Sequence, residues 1–383
     1  MIPLFKVFMN HDPDALNLFI DTLYSGQLAQ GPCVDEFESL LGRFFKNDYV
    51  VTVNSCTSAL TLVLNMLKNK VYFDPGRTEV LTTALTCTAT NWPIMTEGYR
   101  IKWVDVDPTT CNLDLDDLKR KISPMTKIIM LVHWGGYPVD LDKVRDIQNV
   151  CKEEYGFKPY VIEDCAQAMG AMYKRKRIGS HGNINCFSFQ AIKHLTTGDG
   201  GAIVFPDSES YQKARLLRFF GIDRDKRPKT PMVQDYRLEE PILEAGYKFH
   251  MNDVAASLGI TNFKKLGWVL DRQAENADYY YEALANVTGV KLMTRSPDVC
   301  SANWLFSLRV KDKTGFMQFM KENGIMVSQV HNRNDRHPCM SEFLADLPQL
   351  DQLEKELVCI PVGWWVDKEQ LEYIVNKIKE FYE

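Results

Sequence analysis

No CxxC pair occurs anywhere in the 383 residues, so the spacing of a zinc ribbon is missing. The ten cysteines are scattered: Cys33, Cys56, Cys87, Cys111, Cys151, Cys165, Cys186, Cys300, Cys339 and Cys359. Several sit inside apolar runs, where a free thiol behaves as a small hydrophobe. This argues against a disulfide framework and predicts a protein of the reducing cytoplasm. No apolar run approaches the roughly 18 residues that cross a bilayer. The opening MIPLFKVFMNHDPD lacks the layout of a signal peptide. Neither a membrane partner nor a nucleic-acid partner is expected, because the net charge is −5 and basic residues form no extended face. The densest positive run, Lys174-Arg175-Lys176-Arg177, reads equally as a solvated turn or as a neighbour of a phosphate-bearing substrate. Internal repeats and low-complexity segments are absent as well.

What is present is an ordinary globular composition, 45% apolar and 25% charged, on a chain long enough for two domains. After an opening helix, Asp12 to Leu23, strands and helices alternate. Strands are predicted at Tyr49 to Val53, Glu79 to Thr83, Arg100 to Val106 and Lys127 to His133. Helices are predicted at Val34 to Phe45, Ala59 to Lys68, Asp114 to Ile122 and Leu141 to Glu154. This alternation predicts an α/β fold, a mostly parallel mixed sheet flanked by helices. Beyond Phe205 come a helix, Ser208 to Phe219, a charged loop, Gly221 to Arg237, and helices Asp253 to Lys265 and Leu266 to Glu282. The remainder reads as a smaller α+β domain: strands Trp304 to Val310 and Ile325 to Val330, and helices Thr314 to Asn323 and Lys368 to Tyr382. The expected division is 1–265 and 266–383, with segment 1–30 packing on the smaller part.

The chemistry concentrates in Cys186 to Phe205, CFSFQAIKHLTTGDGGAIVF. Two short apolar runs read as strands, and between them lies Lys193, followed by Gly198-Asp199-Gly200-Gly201. Glycines let the backbone turn sharply and approach a bound group closely. A lysine amine held there can form a Schiff base with an aldehyde cofactor; a solvated loop lysine is the other reading.

Upstream, Lys158 to Asp164 reads KPYVIED, a buried strand ending in Glu163 and Asp164. Ligands of open α/β sheets bind beyond the carboxyl ends of strands. A carboxylate there can pair with the protonated ring nitrogen of pyridoxal 5′-phosphate (PLP) and keep the ring an electron acceptor; a helix cap or solvated acid pair is the alternative. Gln167 is placed to reach the cofactor's phenolic oxygen. Asn54 to Ser58 turns from a strand into a helix whose first N–H groups suit a phosphate, unless Asn54 or Ser55 simply caps it.

The blocks VNSCTSAL, EDCAQAMGAMY, IGSHGN and CFSFQAIKHLTTGDGGAIVF come in one order and spacing. In this the chain resembles the PLP-dependent nucleotide-sugar aminotransferases, the DegT/StrS family of fold type I. The resemblance covers nearly the whole chain and is densest from Tyr49 to Phe205. It implies a phosphate turn at Cys56 and Thr57, a phosphate-binding serine at Ser188, and a Schiff-base lysine at Lys193. It implies a homodimer in which a residue of one subunit reaches its neighbour's cofactor phosphate. At that position this chain has Lys248, with Asn252 competing, where the family commonly has asparagine. A family residue that stacks on the cofactor ring falls at Cys87. His331 fits a family segment lining the sugar site, and the bases of its loop, Arg333 among them, could hold the substrate's diphosphate, an exposed loop being the other reading.

The activity implied is transfer of an amino group, from an amino acid such as glutamate, to a nucleoside-diphosphate-linked keto sugar. The family suggests a 3- or 4-keto-6-deoxy hexose, made into an amino sugar for a glycan or polysaccharide. Related sugar dehydratases carry histidine in place of the lysine, and Lys193 argues against that outcome. A PLP lyase, or a non-catalytic PLP-binding regulator on the same fold, remains the alternative.

Overall fold

A computed structural model describes residues 1–68, 77–224 and 241–383. Seven strands form the larger sheet: β1 (Val50–Val53), β2 (Glu79–Thr83), β3 (Arg100–Val104), β4 (Thr126–Val132), β5 (Tyr160–Asp164), β6 (Ile184–Ser188) and β7 (Gly201–Val204). Their order is β1-β7-β6-β5-β4-β2-β3. Strands β2 to β6 pair in parallel, while β7 runs antiparallel to both its neighbours. The connection from β6 back to β7 carries Lys193, so both ends of that loop are tied into the sheet.

Both faces of the sheet are buried, which is why β4 reads TKIIMLV with no polar interruption after Lys127. Side chains alternate between two cores. Val51, Val80, Ile128, Met130 and Ile203 face helices Cys56–Lys68 and Thr88–Thr96. Val50, Leu81, Ile129, Leu131 and Val204 face helices Pro32–Phe45 and Leu141–Tyr155. The latter helix has clear end signals: Asp140 accepts from the N–H groups of Asp142 and Lys143, and Gly156 closes it at φ 79°.

A smaller antiparallel sheet follows, β8 (Val290–Leu292), β9 (Phe306–Val310) and β10 (Leu357–Ile360), in that order. Its own core joins Tyr280, Phe306, Phe316, Ile360 and Ile374. Met1 and its neighbours reach this sheet's side: Ile2 bridges Ile325. Asn10 instead bonds Asn262 and Thr261, so segment 1–30 spans both parts rather than packing on the smaller one alone.

Some predicted elements change. The opening helix starts at Asn17, because Asn10 and Asp12 fold the preceding residues into turns. Trp304 and Leu305 precede β9, since Asn303 is left-handed at φ 49° and Leu305 N–H bonds Gly135 rather than a sheet partner. Ile325 to Val330 makes only isolated bridges, to Ile2 and Cys359, and ends at Val330 with φ 71°. Of the charged loop, residues 225–237 lie outside the described residues.

Candidate active site

Asp164 is the last residue of β5 and is 5% exposed. Thr90 Oγ1 donates to its Oδ2 at 2.7 Å, and the Ala166 N–H donates to its Oδ1 at 3.0 Å. Burial raises its pKa, and these donors together with the charge of Lys193 oppose the rise. Burial also pulls the Lys193 amine down to about 8, with Asp164 opposing. The two groups therefore lie within each other's field. The lysine Nζ rests 3.4 Å from the ring centre of Trp304.

The turn after β1 enters its helix at Cys56, earlier than the Ala59 expected, so Cys56, Thr57 and Ser58 form the first turn. Ser55 Oγ caps the Ser58 N–H at 3.0 Å, while Thr57 is exposed there and Cys56 is buried. Gly201 faces this turn so closely that a Cβ on it would lie 2.6 Å from Cys56 N. Ser188 is the register partner of Gly201. Gly201 thus packs between the helix start that carries Cys56 and Thr57 and its register partner Ser188, and a helix N-terminus is a place that suits a phosphate. A buried carboxylate, a low-pKa amine and a helix start suited to an anion together are the donor set PLP requires, and the residues fit it.

On the opposite side, the Gly135 N–H donates to Gln167 Oε1 at 2.7 Å. This turns the Gln167 amide nitrogen toward His331 Nε2, 3.4 Å away. His331 is edge-on to Trp134, with ring centres 5.9 Å apart, and near-parallel to Trp304 at 6.3 Å. Burial first, and the Lys193 charge second, push its pKa down to about 4.

Arg333 does not join this group, which departs from its expected role in binding the substrate's diphosphate. It is 4% exposed, its Nε and Nη2 donate to Asp335 at 2.8 and 2.7 Å, and Nη1 pairs with Asp351. Those carboxylates occupy the guanidinium, so it anchors the His331 loop instead. Lys248 is exposed, its backbone bridged to Phe219, and the adjacent Phe249 carbonyl accepts the Asn54 N–H. Asn252 caps helix Asp253–Phe263.

His133, Glu163 and Cys165 lie close enough to hold a metal. Their atoms are committed elsewhere: His133 Nε2 bonds Glu163 Oε2 at 2.8 Å, its Nδ1 accepts from the Val139 N–H, and Cys165 Sγ bonds the Glu163 carbonyl and Asn185. This is packing behind Asp164. Lys174 and Arg175 make a left-handed turn, with Lys174 paired to Asp142, so the basic run is a surface turn.

Sequence reasoning missed Thr90 and Trp304. Thr90 lies in TCTATNWP, one helical turn from nothing but apolar and hydroxyl residues, and no spacing links it to Asp164. Trp304 reads as the first residue of a strand.

The sequence pattern of the DegT/DnrJ/EryC1/StrS aminotransferase family matches residues 10–379. The chain belongs to that family. It is a PLP-dependent sugar aminotransferase of fold type I. Its structure is similar to that of AtS13 from Actinomadura melliaura, at 44% identity over 99% of this chain and 98% of that one, with a TM-score of 0.94. The sugar aminotransferase CalS13 from Micromonospora echinospora shares 42% identity over 99% and 100% of the two chains, with a TM-score of 0.92. The spore coat polysaccharide biosynthesis protein SpsC of Bacillus subtilis is 34% identical over 295 residues, 76% of this chain and 72% of the relative. Among the described residues no helix is long and apolar enough to cross a membrane.

Proposed function

We propose that this aminotransferase takes its amino group from glutamate and delivers it to a nucleoside-diphosphate-linked 3- or 4-keto-6-deoxy hexose. The product is an amino sugar for a glycan or polysaccharide. The observation that supports this most is the placement of Lys193, in the loop between β6 and β7 and within the field of Asp164, which is buried at the end of β5. When bound, PLP supplies a carbonyl that takes the amine and a ring that stores the electron pair. Lys193 holds the cofactor and moves the proton as base and acid. Asp164 would pair with the ring nitrogen and Gln167 would position the phenolic oxygen. Cys56, Thr57 and Ser188 would anchor the phosphate, an orientation effect. His331, neutral above about pH 4, offers a hydrogen bond to the sugar. The reading includes a homodimer in which Lys248 reaches the neighbouring subunit's phosphate, and a boundary between residues 265 and 266.

Membership of an aminotransferase family and the likeness to SpsC, a spore coat polysaccharide biosynthesis protein, favour this reading over a lyase or a non-catalytic binder. Its test has two stages. Purified protein should absorb in the visible and bleach on adding glutamate; colour that persists sinks the donor assignment. A screen of nucleotide-linked keto sugars, read by product mass, should then find one that gains an amine; failure of every keto sugar sinks the acceptor class.

A further inference from the structure

Lys193 rests against an aromatic ring, with its Nζ 3.4 Å from the ring centre of Trp304. The same indole donates its Nε1–H to the carbonyl of Ile192, the residue before the lysine, at 3.0 Å. One ring thus grips the lysine twice, by its edge on the backbone and by its face on the amine. Trp304 is itself buried, at 4% exposure. Phe5 stacks on it at 5.0 Å and 25°. His331 lies near-parallel at 20°. Trp304 and His331 each follow a residue in left-handed backbone, Asn303 at φ 49° and Val330 at φ 71°. For a branched valine that conformation is strained, and it persists only where the surroundings enforce it.

We propose that Trp304 is a positioning residue for amino transfer, its indole face holding the Lys193 amine whenever that amine is not bonded to the cofactor. The inference rests on Lys193 being the reactive amine of the proposed reading. A lysine side chain released from a covalent bond regains rotamer freedom, and each misdirected rotamer delays proton transfer. The electron-rich face of an indole attracts an ammonium, most strongly where water is excluded. With the amine near pKa 8, charged and neutral forms coexist around neutrality. The charged form is kept on the ring, and the neutral form stays within reach as a base. Because the ring is also bonded to Ile192, the resting place moves with the lysine's own loop.

The test is the pKa of the Lys193 amine in the full chain stripped of cofactor, read from the pH dependence of amine labelling by peptide mass spectrometry. Trp304→Leu removes the face and should lower that pKa by about half a unit to one unit. Replacing the seven tryptophans by 5-fluorotryptophan keeps shape and N–H but weakens the face, and should lower the pKa by a smaller amount. This second measurement stands even if Trp304→Leu fails to fold. In the loaded enzyme, single-turnover amino transfer from the donor should slow roughly tenfold in Trp304→Leu with the donor's KM unchanged. Trp304→Phe should recover most of that rate. An unchanged pKa in the fluorinated protein overturns the proposal, as does a Trp304→Phe variant no faster than Trp304→Leu. A Lys193→Ala chain that still transfers amines would instead overturn the underlying reading.

Discussion

Thr90 Oγ1 lies 2.7 Å from Asp164 Oδ2 and 2.8 Å from Thr86 Oγ1, so a two-hydroxyl relay ends on the carboxylate. Burial pushes the pKa of that carboxylate up, and the Thr90 hydrogen bond is the largest influence opposing it. Thr90→Val removes the donor without changing shape. It should raise the Asp164 pKa by about one to two units, as loss of a hydrogen bond to a charged group does. Carbon-13 NMR of labelled aspartate, titrated in the wild-type and variant chains, measures it; coincident titrations would refute the relay.

Lys193 links the site to pH. Its pKa in the folded chain is about 8, lowered from 10.5 by burial. Below pH 8 both folded and unfolded chains hold the proton, and the folded chain bears the cost of a buried charge. Between pH 8 and 10.5 the unfolded chain binds more protons, so this group's contribution makes the fold more stable as pH rises. Lys193→Met should abolish that gain, which is on the order of 2–3 kcal/mol. Urea midpoints of cofactor-free wild type and variant, compared from pH 7.5 to 10.5, show it.

Gly201 packs against the helix start proposed to hold the phosphate. A methyl group there would lie 2.6 Å from the backbone at both Cys56 N and Ser55 C. Gly201→Ala must push the helix start away from β7, and should weaken PLP binding by roughly tenfold or more, the size of one lost anion contact at a helix start. Equilibrium titration of the stripped chain with PLP checks this.

Arg333 is a structural prediction with a control built in. Arg333→Met leaves Asp335, itself 7% exposed, without its partner. The expected loss is about 3–5 kcal/mol in urea unfolding. Adding Asp335→Leu removes the stranded charge and should restore part of it. If the double variant is less stable than the single one, the charge pairing is not what holds this loop.

Much of the fold was readable from the chain alone. The sheet strands around Ile129 and around Ile162 announce themselves because a strand buried on both faces has an apolar run at its centre. The two candidate groups, Lys193 and Asp164, could also be singled out, since one ends a buried strand and the other lies in the glycine-bearing loop that follows one. Local chemistry sufficed there: a turn, a cap or a buried strand leaves its mark within a dozen residues. What residues far apart in sequence do to one another left no such mark. Thr90 and Asp164, Trp304 and Ile192, and Arg333 and Asp351 meet only because the sheet and its helices bring them together. Arg333 looked free to bind a ligand until folding placed carboxylates around it, and Trp304 looked like a strand residue until folding laid Lys193 on its face. Contact and burial belong to the folded chain, and they decided which charged group stays available for chemistry.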